Sequence, residues 1–196
     1  MRGSVRLFVS ATPDLEPERE VVGRVVATLP VSVEWRIGRS PHRHEPLQPA
    51  LEAVAGSNVY LFLLGRDITA PAGVEWDAAR RAGKEPLAFV RNELRTPAAQ
   101  EFLRQSGGEW TAFASHVELA HLLQTALVEH LLASALEYGL NVVEHEALSA
   151  LAEGSHAGDP AEEGHDIPRA GGAGGGGVIL GPHSLPPGGV PVGSDG

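Results

Sequence analysis

The chain predicts an α/β fold, a doubly wound parallel sheet covered by helices on both faces. Three observations carry that expectation. Strand-length apolar runs alternate with helix-length amphipathic segments between residues 5 and 136. The run Val59 to Leu64 is apolar at every position, which suits a central strand packed on both sides. Helix ends also carry their own signals, a Thr-Pro start at Thr96, a Ser-x-x-Glu start at Ser115 and a glycine stop at Gly83.

Taken in order, Val5 to Val9 forms the first strand and Leu15 to Thr28 the first helix, with Asp14 as its cap and Pro17 tolerated in its first turn. Val31 to Trp35 is the second strand and Pro46 to Ala55 the second helix. The third strand, Val59 to Leu64, leads through a loop, Gly65 to Gly73, into a short helix that carries Glu75 near its amino end and stops at Gly83. Pro86 to Val90 is the fourth strand, residues 97–105 the fourth helix, and Trp110 to Phe113 a short fifth strand. Ser115 opens a long helix whose Leu119, Leu122, Leu123, Leu127 and Leu131 share one face. Right-handed crossovers between parallel strands then give the strand order 2-1-3-4-5 of flavodoxin-like folds.

Gly139 interrupts the last helix. Leu140, Val143, Ala147, Leu148 and Leu151 form a second apolar stripe. It either folds back on the preceding helices or offers helix 140–151 to a protein partner or a second copy of the chain. From residue 153 the composition changes to Gly, Pro and small residues, with six acids against Arg169 alone. Such a stretch cannot bury enough apolar surface to offset chain entropy, so a disordered tail is expected. The predicted divisions are therefore 1–136, 137–152 and 153–196. Residues 178–192 of the tail combine Val178-Ile179-Leu180 with several prolines and form a candidate docking peptide.

A net charge of −10 argues against binding nucleic acid or an anionic membrane surface. The longest apolar run is far too short to span a bilayer. With no cysteine, disulfides, thiolate nucleophiles and cysteine-bound zinc are excluded, which fits a cytoplasmic protein. His42 and His44 lack a third ligand, so no metal site is expected.

In a doubly wound fold, ligands bind beyond the carboxyl ends of the strands. Ser10 and Thr12 lie there after the first strand. Arg36, Arg39 and Arg43 follow the second strand, and Arg66 and Asp67 follow the third. Three arginines in one segment of an acidic chain suit an anionic small molecule such as a nucleotide pyrophosphate. Glu75 has two readings. As an acid in a first helical turn it interacts well with the helix dipole. As a carboxylate facing the crevice it could stabilise or attack an oxocarbenium-like centre while an N-glycosidic bond breaks, with Ser10 and Thr12 on ribose hydroxyls. Trp76, about 100° further round the helix, is expected to pack in the core.

Arg6 to Arg19, with its strand ending in Ser10-Ala11-Thr12 followed by Asp14-Leu15 and Glu18-Arg19, resembles the opening of a TIR-like family found in bacterial multidomain proteins. Leu51 to Tyr60, Glu75 to Ala79 and Gly83 to Val90 extend the resemblance, which covers about residues 5–135. That family is similar to TIR domains and to nucleoside deoxyribosyltransferases. The resemblance implies a flavodoxin-like fold, Glu75 at the position of the catalytic glutamate after the third strand, and NAD as a substrate cleaved at its nicotinamide–ribose bond. It implies no separate cofactor. It also implies a place in signalling or antiphage defence, and equally a non-catalytic adaptor that binds other proteins.

Overall fold

The computed structural model describes residues 3–41 and 45–156. Among these, five parallel strands form one sheet in the order β2-β1-β3-β4-β5. They are β1 (Ser4–Ala11), β2 (Glu34–Arg39), β3 (Val59–Leu64), β4 (Leu87–Arg91) and β5 (Trp110–Phe113). The helices are α1 (Glu16–Thr28), α2 (Gln48–Gly56), α3 (Ala70–Arg81), α4 (Pro97–Ser106), α5 (His116–Ala133), α6 (Ala135–Tyr138) and α7 (Val142–His156). The expected fold and strand order are both present.

Alternation along the central strands separates two cores. Val5, Leu7 and Val9 of β1 join Val59, Leu61 and Leu63 of β3 under α1, α5 and α7, in an almost wholly aliphatic layer. On the other face Phe8 meets Tyr60, Phe62 and Leu64 beneath α2, α3 and α4, with Trp76, Phe102 and Trp110. Trp76 packs as expected, stacked on Trp110 with ring centres 5.2 Å apart. Gly38 of β2 leaves room for the Phe8 ring, which a Cβ there would meet at 2.9 Å.

Several local signals act where the sequence places them. Thr96 accepts a hydrogen bond from Ala99 N–H at 3.2 Å and caps α4. Ser115 accepts from Glu118 N–H at 3.2 Å, while the Glu118 carboxylate takes Ala114 N–H at 2.7 Å, a capping box displaced by one residue. Gly83, at φ 70°, ends the turn after α3.

Four expectations are corrected. Asp14 does not cap the first helix: it lies in a 3-10 turn, Pro13–Leu15, and its carboxylate accepts Arg66 N–H at 3.1 Å. The second strand begins at Glu34, not Val31. Glu144, distant in sequence, accepts Ser32 N–H at 2.6 Å and Ser32 Oγ at 2.5 Å, and the ladder opens only where Glu34 N–H reaches Gly3 O. The third helix begins at Ala70, with Pro71 in its first turn, so Glu75 stands in the second turn and the preceding loop is short. Finally, Val143 of the second apolar stripe is exposed.

The added helix folds back. Leu148 of α7 is fully buried in the aliphatic core beside Leu131 and Tyr138. Glu144 ties the start of α7 to Ser32 and also accepts Asn141 N–H at 2.9 Å. Glu144→Ala is therefore expected to cost about 1–3 kcal/mol, the penalty for stranding part-buried donors. Urea unfolding of the variant beside wild type measures it, and an unchanged midpoint would show that α7 is held by apolar contact alone. The tail expectations, including the docking peptide 178–192, lie outside the described residues.

Candidate functional site

The site is built at the carboxyl edge of the sheet by β1, β2 and α3. Ser10 shares the aromatic face of β1 with Phe8, and Val9 stands opposite Arg39, so the next pair along the ladder is Ser10 beside Ser40. Ser40 N–H donates to Val9 O at 3.3 Å, holding the end of β2 to β1. On α3, Ala72, Glu75, Trp76 and Ala79 recur at helical spacing and face the sheet. That spacing brings the Glu75 carboxylate down onto the two serines.

Glu75 is 0% exposed. Both hydroxyls converge on one of its oxygens: Ser10 Oγ donates to Oε2, and Ser40 Oγ donates to the same atom at 2.6 Å. The other oxygen, Oε1, is buried without a hydrogen-bond partner among the described residues. Burial raises the Glu75 pKa above its ordinary value, and the two serine hydrogen bonds and the nearby Arg19 charge offset only part of the rise. The Tyr60 phenol is buried alongside. Burial drives it well above its ordinary value; the Ser10 hydroxyl, short of good hydrogen-bond geometry, draws it down, and the Glu75 charge pushes it up again.

A cleft of about 930 Å³ opens next to this carboxylate. Ser40 lies in its wall, so one hydroxyl both lines the cleft and holds Glu75. Ala11, Pro13, Leu47 and Pro71 supply apolar walls, and Glu16, Arg19 and Glu45 supply charge. Arg19 is fixed by donating to Ala11 O at 2.7 Å and by Glu16 at 3.1 Å, while its Nε is buried without a partner among the described residues.

The other predicted site residues divide. Thr12 is buried but lines a separate, smaller pocket together with Arg66 and Asp67. Asp67 pins a turn, accepting Ile68 N–H at 2.8 Å and the Thr96 hydroxyl at 2.5 Å; that hydroxyl is the main cause of its lowered pKa. Arg36 does not belong to the site. The later start of β2 places it inside the strand, opposite Arg6, where it pairs with Glu34 at 3.0 Å. Arg39 ends β2 with an exposed side chain, next to Ser40. Arg43 lies outside the described residues, with His42 and His44. Two residues that sequence reasoning passed over act on Glu75, Ser40 through a hydrogen bond and Arg19 through its charge. Ser40 follows the second strand directly only because that strand ends at Arg39; with the strand read as ending at Trp35, no local signal marked it.

No protein-family model matches the chain, and no curated protein matches it.

Proposed function

We propose that the chain is a TIR-like effector or signalling module that cleaves the N-glycosidic bond of NAD or a related nucleotide in the cleft beside Glu75. One observation carries this reading. A fully buried carboxylate, with one oxygen held by two hydroxyls and the other unpartnered among the described residues, lies directly behind Ser40, which lines a cleft at the carboxyl edge of a doubly wound sheet. A structural acid at such a depth is usually neutralised by an ion pair, as Glu18 is by Arg91 at 3.1 Å. In the proposed reaction the bond between ribose C1′ and the pyridinium nitrogen breaks, and neutral nicotinamide leaves with the electron pair. Ionised Glu75 steadies the oxocarbenium-like ribosyl centre, and water supplies the hydroxyl and releases a proton. A ribose hydroxyl reaches Glu75 by replacing Ser40 on Oε2.

The test is nicotinamide release from NAD at high protein concentration, wild type beside Glu75→Ala. Wild type is expected to release nicotinamide and the variant to release none. Equal turnover in both would remove Glu75 from the chemistry.

A second reading is an adaptor without turnover. Leu136, Val142 and Val143 are 100%, 72% and 73% exposed around the turn into α7, which favours a protein contact there. Absence of release from wild type at every concentration, with self-association lost in Leu136→Ser, would favour this reading.

A further inference from the structure

β2 is an outer strand of the sheet, and among the described residues no strand pairs with its far edge. The ladder shows which backbone groups stand there. Glu34 N–H donates to Gly3 O and Ser40 N–H donates to Val9 O, so the even-numbered residues of β2 turn their backbone groups toward β1. By alternation Trp35, Ile37 and Arg39 turn theirs outward, a row of N–H donors and carbonyl acceptors. Several usual guards of an open edge are missing. β2 holds no proline and no lysine, and it pairs with β1 in continuous register without a bulge.

The side chains set the chemistry of a guest strand. On the face shared with Phe8, exposed Arg36 stands beside exposed Arg6 of β1. Glu34, paired with Arg36 at 3.0 Å, is the one acid of β2. On the other face Trp35 packs partly on the aliphatic core, Ile37 is 48% exposed, and exposed Arg39 closes the row. Arg6, Arg36 and Arg39 against Glu34 make a basic border on a chain of net charge −10.

This border disfavours a second copy of itself. Antiparallel pairing about a two-fold axis at Arg36 sets that arginine against its own image. Pairing about Ile37 leaves the two Arg36 side chains diagonal neighbours. Like charges oppose both arrangements, whereas an acidic strand meets the same arginines with opposite charge.

We infer that the outer edge of β2 accepts an extended segment of a partner protein, in which acidic residues alternate with apolar ones. The acids lie on the Arg6 and Arg36 face, and the apolar side chains cover Ile37 beside Trp35. Backbone hydrogen bonds at Trp35, Ile37 and Arg39 supply affinity, and the alternation supplies selectivity. Docking at this edge does not require Glu75 to be catalytic, so it is tested apart from nicotinamide release.

The experiment uses the full chain and a peptide of alternating glutamate and valine, about seven residues long and blocked at both ends. Binding is followed by amide NMR titration, and amide hydrogen exchange is measured with and without the peptide. Saturable binding is expected, with exchange at Trp35, Ile37 and Arg39 slowed about tenfold or more. Glu75→Ala should bind the peptide as wild type does. Ile37→Pro removes an outward N–H while sparing the ladder to β1, and it should abolish binding. Arg36→Gln combined with Arg39→Gln, which alters exposed side chains alone, should weaken binding roughly fivefold and decides the matter if Ile37→Pro does not fold. No saturable binding, equal binding of a lysine–valine peptide, indifference to the paired glutamine variant, or slowed exchange confined to other amides would overturn the inference. Slowed exchange at these three amides that grows with protein concentration in the absence of peptide would overturn it in favour of a second copy.

Discussion

Phe62→Ala is expected to lose about 3–5 kcal/mol of stability and to melt roughly 6–20 °C below wild type. Phe62 sits at the centre of β3, fully buried, on the face that carries Ser10 and opposite it in register. Its ring meets Trp76 at 5.3 Å, Phe102 at 5.6 Å, Trp110 at 5.7 Å and Tyr60 at 6.4 Å. Truncation removes the transfer energy of a large ring and opens a hole that four aromatic neighbours, anchored on α3, α4, β5 and β3, cannot all collapse into. Phe62→Leu, which fills most of that space, should cost well under half as much. Thermal unfolding of the three proteins measures both effects. A loss below about 1 kcal/mol in the alanine variant would mean that this layer repacks freely, and that α3 is held by something other than its aromatic side chains.

The second expected result concerns the buried acid. Glu75→Gln should be more stable than wild type at neutral pH, and the gap should close on acidification. The sign follows from proton linkage. Folding raises the Glu75 pKa above its ordinary value of 4.5, so below that pH the acid is protonated in both states and contributes no difference. As pH rises past 4.5, the unfolded chain gives up its proton first and is favoured; wild type loses stability until the folded carboxyl also ionises, after which the deficit is constant. Glutamine keeps the shape and can still accept from Ser10 and Ser40, but it has no proton to release. The excess should equal whatever rise in proton affinity remains after the serine hydrogen bonds return part of the burial cost, each tenfold change in that affinity being worth about 1.4 kcal/mol. Urea unfolding of both proteins between pH 4 and 8 gives the difference curve. A curve that falls with pH would show that the two hydroxyls outweigh burial and that Glu75 is an ionised anchor of α3.

What could be read from the sequence follows how far each signal reaches. Val59 to Leu64, the Thr96 and Ser115 caps and Gly83 depend on a few adjacent residues, and all stand where they were expected. Strand order followed from alternation and handedness, which are also local in origin. The errors arose where a remote residue intervenes. Ser32 lies in an apolar run that reads as strand, yet Glu144 takes its N–H and hydroxyl and delays β2 by three residues. That delay carried Arg36 out of the site and brought Ser40 into it. Asp14 has the spacing of a helix cap, but Gly65 allows the backbone of Arg66 close enough to claim it; a Cβ at that glycine would lie 2.3 Å from Asp14 Oδ2. Glu75 was legible as a candidate from its place after the third strand. Its burial, and the two serines that hold it, depend on a register that only the assembled sheet defines.

The stacking of Trp76 on Trp110 gives the protein a built-in optical gauge. The two indoles lie nearly parallel, 13° apart, and Trp76 directly follows Glu75 in the chain. Excited-state coupling between stacked indoles is sensitive to small changes in spacing, so any tilt of the α3 segment would alter near-ultraviolet dichroism and emission. A ligand that moved α3 on binding, as the proposed nucleotide would, could thus be followed on the unlabelled protein, in real time, whether or not any bond is broken.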